Sequence, residues 1–73
     1  MFIDKGQEAS FIYNTSRMIV EKWSVSKIAE FLSCDEGEIY ECFQKGNKNI
    51  IIEEVSREVE KLDYEDIKKL LNE

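Results

Sequence analysis

Five carboxylates, Glu30, Asp35, Glu36, Glu38 and Glu41, lie between residues 30 and 44, and no lysine or arginine lies among them. They carry −5 of the chain's formal net charge of −6. Clustered carboxylates can move protons or hold a hard cation, but the chain has no histidine to share that work. Neither a phosphate-cradling glycine loop, a nucleophile elbow nor a metal-ligand cluster accompanies them. The further pairs Glu53-Glu54 and Asp63-x-x-Asp66 read as solvated faces of short amphipathic helices. Two thiols, Cys34 and Cys42, are separated by a turn and part of a helix, which puts them roughly 10 Å or more apart and outside disulfide range. They also leave a four-ligand zinc site two ligands short within one chain. Both read as small buried apolar residues. This inventory predicts no catalysis and no cofactor, and it leaves recognition as the chemistry the carboxylates can do.

The elements that must carry them follow from apolar spacing. Ile28, Ala29 and Leu32 share one face of a helix, the pattern breaks at Ser33-Cys34, and Ile39, Cys42 and Phe43 resume it. A small residue at the helix crossing, a tight turn and a β-branched anchor make a helix-turn-helix-like pair over about 24–33 and 35–45. In a DNA reader the exposed positions of the second helix carry groups that meet phosphates and base edges. Here those positions are Asp35, Glu36, Gly37, Tyr40 and Glu41, a face that repels duplex DNA.

The whole chain reads as one all-α domain of about five helices, with a loose N-terminus at 1–5, the helix-turn-helix-like unit at 6–45 and a C-terminal helical pair at 47–73. The first helix, from Gly6 to about Lys22, has Ala9, Ile12, Ile19 and Trp23 near one stripe, flanked by Phe11 and Met18. Tyr13 and Val20 fall off it, a breadth that implies contacts on two sides. Ser24 is placed to cap the second helix, and Asp35 with Glu38 resembles a capping box for the third. First-turn carboxylates also stabilise a helix's positive end, so Asp35, Glu36 and Glu38 have a folding rationale that Glu30 and Glu41 lack. Gly46 is placed for a left-handed C-cap, Asn47 for the next N-cap, and Asp63 with Asp66 for the last. The fourth helix, to about Leu62, has a stripe of Ile52, Val55, Val59 and Leu62 with coiled-coil spacing. That stripe fits either the core of one chain or a homodimer seam. The last helix should bury Ile67, Leu70 and Leu71.

Seventy-three residues support one small core, for which help from a partner or second copy is plausible. Hydrophobic residues at 42% and eight aromatics argue against a disordered acidic tail. No apolar run is long enough for a membrane span and no secretory signal opens the chain, so a cytoplasmic protein is expected.

Gly6 and Glu8, then Met18, Ser24, Ile28, Ala29 and Ile39, resemble the C-terminal tail of the recombination-promoting nuclease and transposase group of PD-(D/E)xK proteins, over about residues 6–43. Trp23 and Ser33 stand where that pattern has its two glycines. The resemblance leaves out the nuclease core, so it carries over no catalytic residues. It implies a free-standing helical module that associates with a full-length nuclease and restrains it, or that dimerises.

Two uses of the acidic face remain open: a solvated surface, or a contact surface for a basic partner formed by Glu30, Asp35, Glu36, Glu38, Tyr40 and Glu41. In the second case the protein is an interaction module, an inhibitor or regulator of a nuclease or other nucleic-acid-handling protein, from the host or from a phage countering host defence. The alternatives are a DNA-binding regulator relying on Arg17, Lys22, Lys27, Lys45 and Lys48, and a purely oligomerising domain.

Overall fold

A computed structural model describes the backbone of residues 5–72 and the side chains of 9–72. The chain is all-α: α1 (Lys5–Lys22), α2 (Val25–Leu32), α3 (Glu36–Gln44), α4 (Lys48–Glu60) and α5 (Tyr64–Leu71). The expected loose end at 1–5 gives way to helix at Lys5, and residues 1–4 lie outside the described residues.

The core forms where α1 packs on α4 and the α2–α3 pair closes over α4. It contains Ile19, Val20, Ile28, Ala29, Ile39, Ile51, Ile52, Val55, Val59 and Ile67. The buried face of α1 differs from the expected stripe. Val20 is buried with Ile19, Ala9 and Met18 are exposed, and the two residues one turn earlier on the buried face are Thr15 and Ser16. Hydrophobic periodicity passes over hydroxyls, but Ser16 Oγ donates to the Ile12 carbonyl oxygen at 2.7 Å, so the group is satisfied within its own helix.

The homodimer-seam reading of α4 is corrected by the same packing. Val55 and Val59 are both 0% exposed and Ile52 is buried, while Leu62, in the turn beyond α4, is half-buried. Ile52, Val55 and Val59 are thus enclosed in the core of a single chain and are not presented to a second copy. By contrast α5 packs lightly, with Ile67 as its one buried residue, Leu70 half-buried and Leu71 exposed.

Turn chemistry explains where the helices stop. Ser24 Oγ accepts from the Lys27 amide at 3.2 Å and caps α2; the Asp63 carboxylate accepts from the Asp66 amide at 2.9 Å and caps α5. The expected capping box at Asp35 does not form through its side chain: its backbone carbonyl accepts from the Glu38 amide at 3.1 Å, and the carboxylate makes no cap bond. Asn47 likewise stands at the start of α4 without a side-chain cap bond. After α3, Gly46 takes φ 76°, with the Gly46 amide bonded to the Phe43 carbonyl and the Asn47 amide to the Cys42 carbonyl, a Schellman closure.

Ser33 closes α2 in the same way, with φ 58° and ψ 44°. The Ser33 amide bonds to the Glu30 carbonyl and the Cys34 amide to the Ala29 carbonyl. A left-handed backbone on a non-glycine residue costs about 1–2 kcal/mol, partly offset by glycine's greater unfolded-state entropy. Ser33→Gly is therefore expected to stabilise the fold by about 0.5–1 kcal/mol, or about 3–6 °C in Tm by circular dichroism. A lower Tm would contradict the left-handed turn. Trp23, at the other glycine position of the resemblance, has no positive φ.

Candidate functional site

The helix α3 is held by one fully buried anchor, Ile39, with Cys42 and Phe43 half-buried beside it. Every other residue from Glu36 to Gln44 is exposed. Its outward face therefore presents Glu36 and Tyr40 one turn apart, with Gly37 and Glu41 on the adjoining row. Tyr40 is 55% exposed, the largest exposure among the bulky apolar side chains of the described residues.

The acidic residues border different surface depressions. Glu38 and Glu41 border a shallow groove of about 320 Å³ with Cys42, Lys45 and Asn47. Glu30 borders a separate depression of about 250 Å³ with Trp23, Lys27, Phe31 and Leu70. There Trp23 and Phe31 meet edge to face, with ring centroids 5.5 Å apart, and Lys27 Nζ lies 4.4 Å from the Trp23 ring. Asp35 and Glu36 stand exposed at the start of α3. Glu41 is ion-paired with Lys45 at 2.7 Å, a partner just outside the acidic run. Glu30, Asp35, Glu36 and Glu38 make no ion pair with the described residues.

Several cations available to a DNA-binding reading are engaged locally. Arg17 and Lys48 both reach Glu21, at 4.0 and 3.4 Å, and Lys45 holds Glu41. These pairs are exposed, so each contributes about 1 kcal/mol or less to folding. Their effect is to dilute positive potential.

Cys34 and Cys42 are free thiols and half-buried, rather than the fully buried residues expected. Both line a groove of about 230 Å³ whose other walls are Leu32, Ile39, Ile50 and Ile51, with Glu38 and Glu54 also lining it. The Cys34 thiol pKa is raised, first by burial, then by the charges of Glu38 and Asp35, with smaller contributions from Cys42 and Glu54. Sequence reasoning did not find this groove. A signal was present in the isoleucine run: three consecutive helical residues span about 200°, so Ile50, Ile51 and Ile52 cannot all face one core. Ile51 and Ile52 are buried and Ile50 is left 47% exposed beside the groove.

Among the described residues no group of three or more histidine, cysteine, aspartate or glutamate residues is placed to hold a metal ion. No helix among them is long and apolar enough to cross a membrane. Of the residues that carry the nuclease-tail resemblance, Ile28, Ala29 and Ile39 are core positions of the helix pair, Met18 is exposed, and the Gly6 and Glu8 side chains lie outside the described residues. No family model matches the chain, and neither the curated proteins nor the solved structures contain a significant match to it.

Proposed function

We propose that this chain is a non-enzymatic interaction module that binds a basic groove on a nuclease or another nucleic-acid-handling protein and thereby inhibits or regulates it. The observation that carries the proposal is the exposed outer face of α3, where Glu36, Tyr40 and Glu41 occupy the positions a DNA reader would give to phosphate- and base-contacting groups. A groove shaped for nucleic acid accepts carboxylates where phosphates would otherwise sit, so the same complementarity serves an inhibitor. Tyr40 supplies an aromatic anchor among those charges. The resemblance of residues 6–43 to a nuclease tail supports the same class of partner.

A DNA-binding regulator is the second reading, favoured by the helix-turn-helix-like pairing of α2 and α3. It is disfavoured by the net charge of −6 and by the engagement of Arg17, Lys45 and Lys48 with acids of the same chain. Affinity capture with the tagged chain from its native lysate at low salt, with recovered protein and nucleic acid identified together, tests both. The expected result is a stoichiometric nuclease or other nucleic-acid-handling protein without enriched duplex DNA. Enriched DNA without such a protein would replace this proposal with the regulator.

A further inference from the structure

The groove between α3 and the start of α4 is not used by the outward face of α3. Its apolar walls are Leu32, Cys34, Ile39, Cys42, Ile50 and Ile51, and its charged lining residues are Glu38 and Glu54. At about 230 Å³ it falls below the usual range for small-molecule sites and suits one or two side chains of a protein ligand. Ile50 gives an apolar wall that stays 47% exposed, whereas Ile51 and Ile52 are buried in the core.

The charge around the groove selects the ligand's sign. Glu38 is exposed and without an ion pair among the described residues, and Glu54 is held by Arg57 at 2.9 Å. Arg57 does not line the groove, and no cation lies among the lining residues. The carboxylates of Glu38, Asp35 and Glu54 all act on Cys34, raising its thiol pKa beyond what burial does. The negative potential at the groove wall is that of these same carboxylates, two of which, Glu38 and Glu54, line it. A bare apolar side chain gains nothing from this field, whereas one flanked by lysine or arginine does.

We propose that this groove is an anchor site for an amphipathic helix of a partner protein, one that inserts an aliphatic side chain between Ile50 and the two cysteines and places a flanking lysine or arginine against Glu38. The inference rests on the interaction-module reading and adds a second contact to it, on the α4 side of α3. Basic helices that lay an apolar stripe into a groove use this combination of anchor and charge.

The thiols supply the readout. A model helical peptide of leucine and lysine is titrated into the full chain at low salt while maleimide alkylation of Cys34 and Cys42 is followed by mass spectrometry. Saturating peptide is expected to slow alkylation of both cysteines at least fivefold, and a leucine-glutamate peptide is expected not to. Ile50→Ser and Glu38→Lys, both at exposed positions, should each weaken the peptide at least tenfold with helix content unchanged. Peptide binding that leaves the thiols unprotected, or that ignores Ile50→Ser, overturns the site. So does failure of the peptide to bind. Protection that grows with protein concentration and without peptide overturns it in favour of a second copy of the chain. The two proposals fail separately. Loss of captured partner on Glu36→Lys with Glu41→Lys, together with retention on Ile50→Ser, would leave the α3 face standing and remove the groove.

Discussion

Val55→Asp is expected to leave the chain unfolded at 25 °C, with the helical far-UV circular dichroism signal lost and no folded monomer recovered. A domain of 73 residues has a total stability on the order of 4–11 kcal/mol. Val55 is 0% exposed among the apolar residues of α1, α2, α3 and α4, so an aspartate there is an unpaired charge or a protonated acid without a hydrogen-bond partner. Either form costs several kcal/mol, with the loss of valine packing in addition. Val55→Ala is the companion variant. It removes two methyl groups without introducing charge and should cost about 2 kcal/mol in urea titration while remaining folded. A Val55→Asp chain that stays helical, and merely changes from dimer to monomer in sedimentation, would restore the α4 seam as an interface between copies.

How far the fold was legible follows from what apolar spacing can and cannot encode. The helix pair around Ser33 was readable because Ile28, Ala29 and Ile39 are strongly periodic and each is fully or nearly fully buried. Ser24, Gly46 and Asp63 were readable because each terminates or starts a helix by a local device. Asp35 and Asn47 had the right residue types, yet their helices begin without side-chain caps, since turn geometry rather than composition decides whether a side chain reaches the free amides. The buried face of α1 departs from its apolar stripe because Thr15 and Ser16 are polar by composition, and because Val20 is displaced from that stripe. Tertiary packing against α4 settled that rotation, and no local pattern in α1 records it.

The site divides along the same line. Exposure of Glu36, Tyr40 and Glu41 was predictable from the pair alone, because a helix anchored by Ile39 must turn its opposite side outward. The depression that Glu30 borders was not, since it depends on where Trp23, Phe31 and Leu70 come together. Lys45 stands one residue beyond the acidic run, so the run itself does not record its pair with Glu41. That pair makes Glu36 the less encumbered of the two outward carboxylates, and Glu41 a group whose charge is shared until a partner displaces Lys45.

Glu36→Lys combined with Glu41→Lys is expected to weaken the captured protein partner by at least about 100-fold, or about 2.7 kcal/mol, while helix content stays unchanged. The two reversals move the net charge from −6 to −2, two units for each substitution, with all of the change on one exposed helix face. Folding should tolerate them. Glu36 gives up a favourable first-turn position worth about 0.3–1 kcal/mol, and Glu41→Lys exchanges the 2.7 Å pair for two like charges one turn apart, at a cost of about 0.2–0.5 kcal/mol. Glu30→Lys serves as the internal control, because it changes charge by the same two units as each single reversal but borders the depression that Trp23 lines. It should leave affinity within about threefold, because it stands on α2 and not on the outward face of α3, and exposed charges are screened by salt. An interface that reads charge at α3 will also lose affinity as ionic strength rises, and the doubly reversed chain should lose that salt dependence. If the reversed chain binds as tightly as the original, the carboxylates of α3 are solvated surface that stabilises the start of a helix, and recognition must lie elsewhere on the molecule.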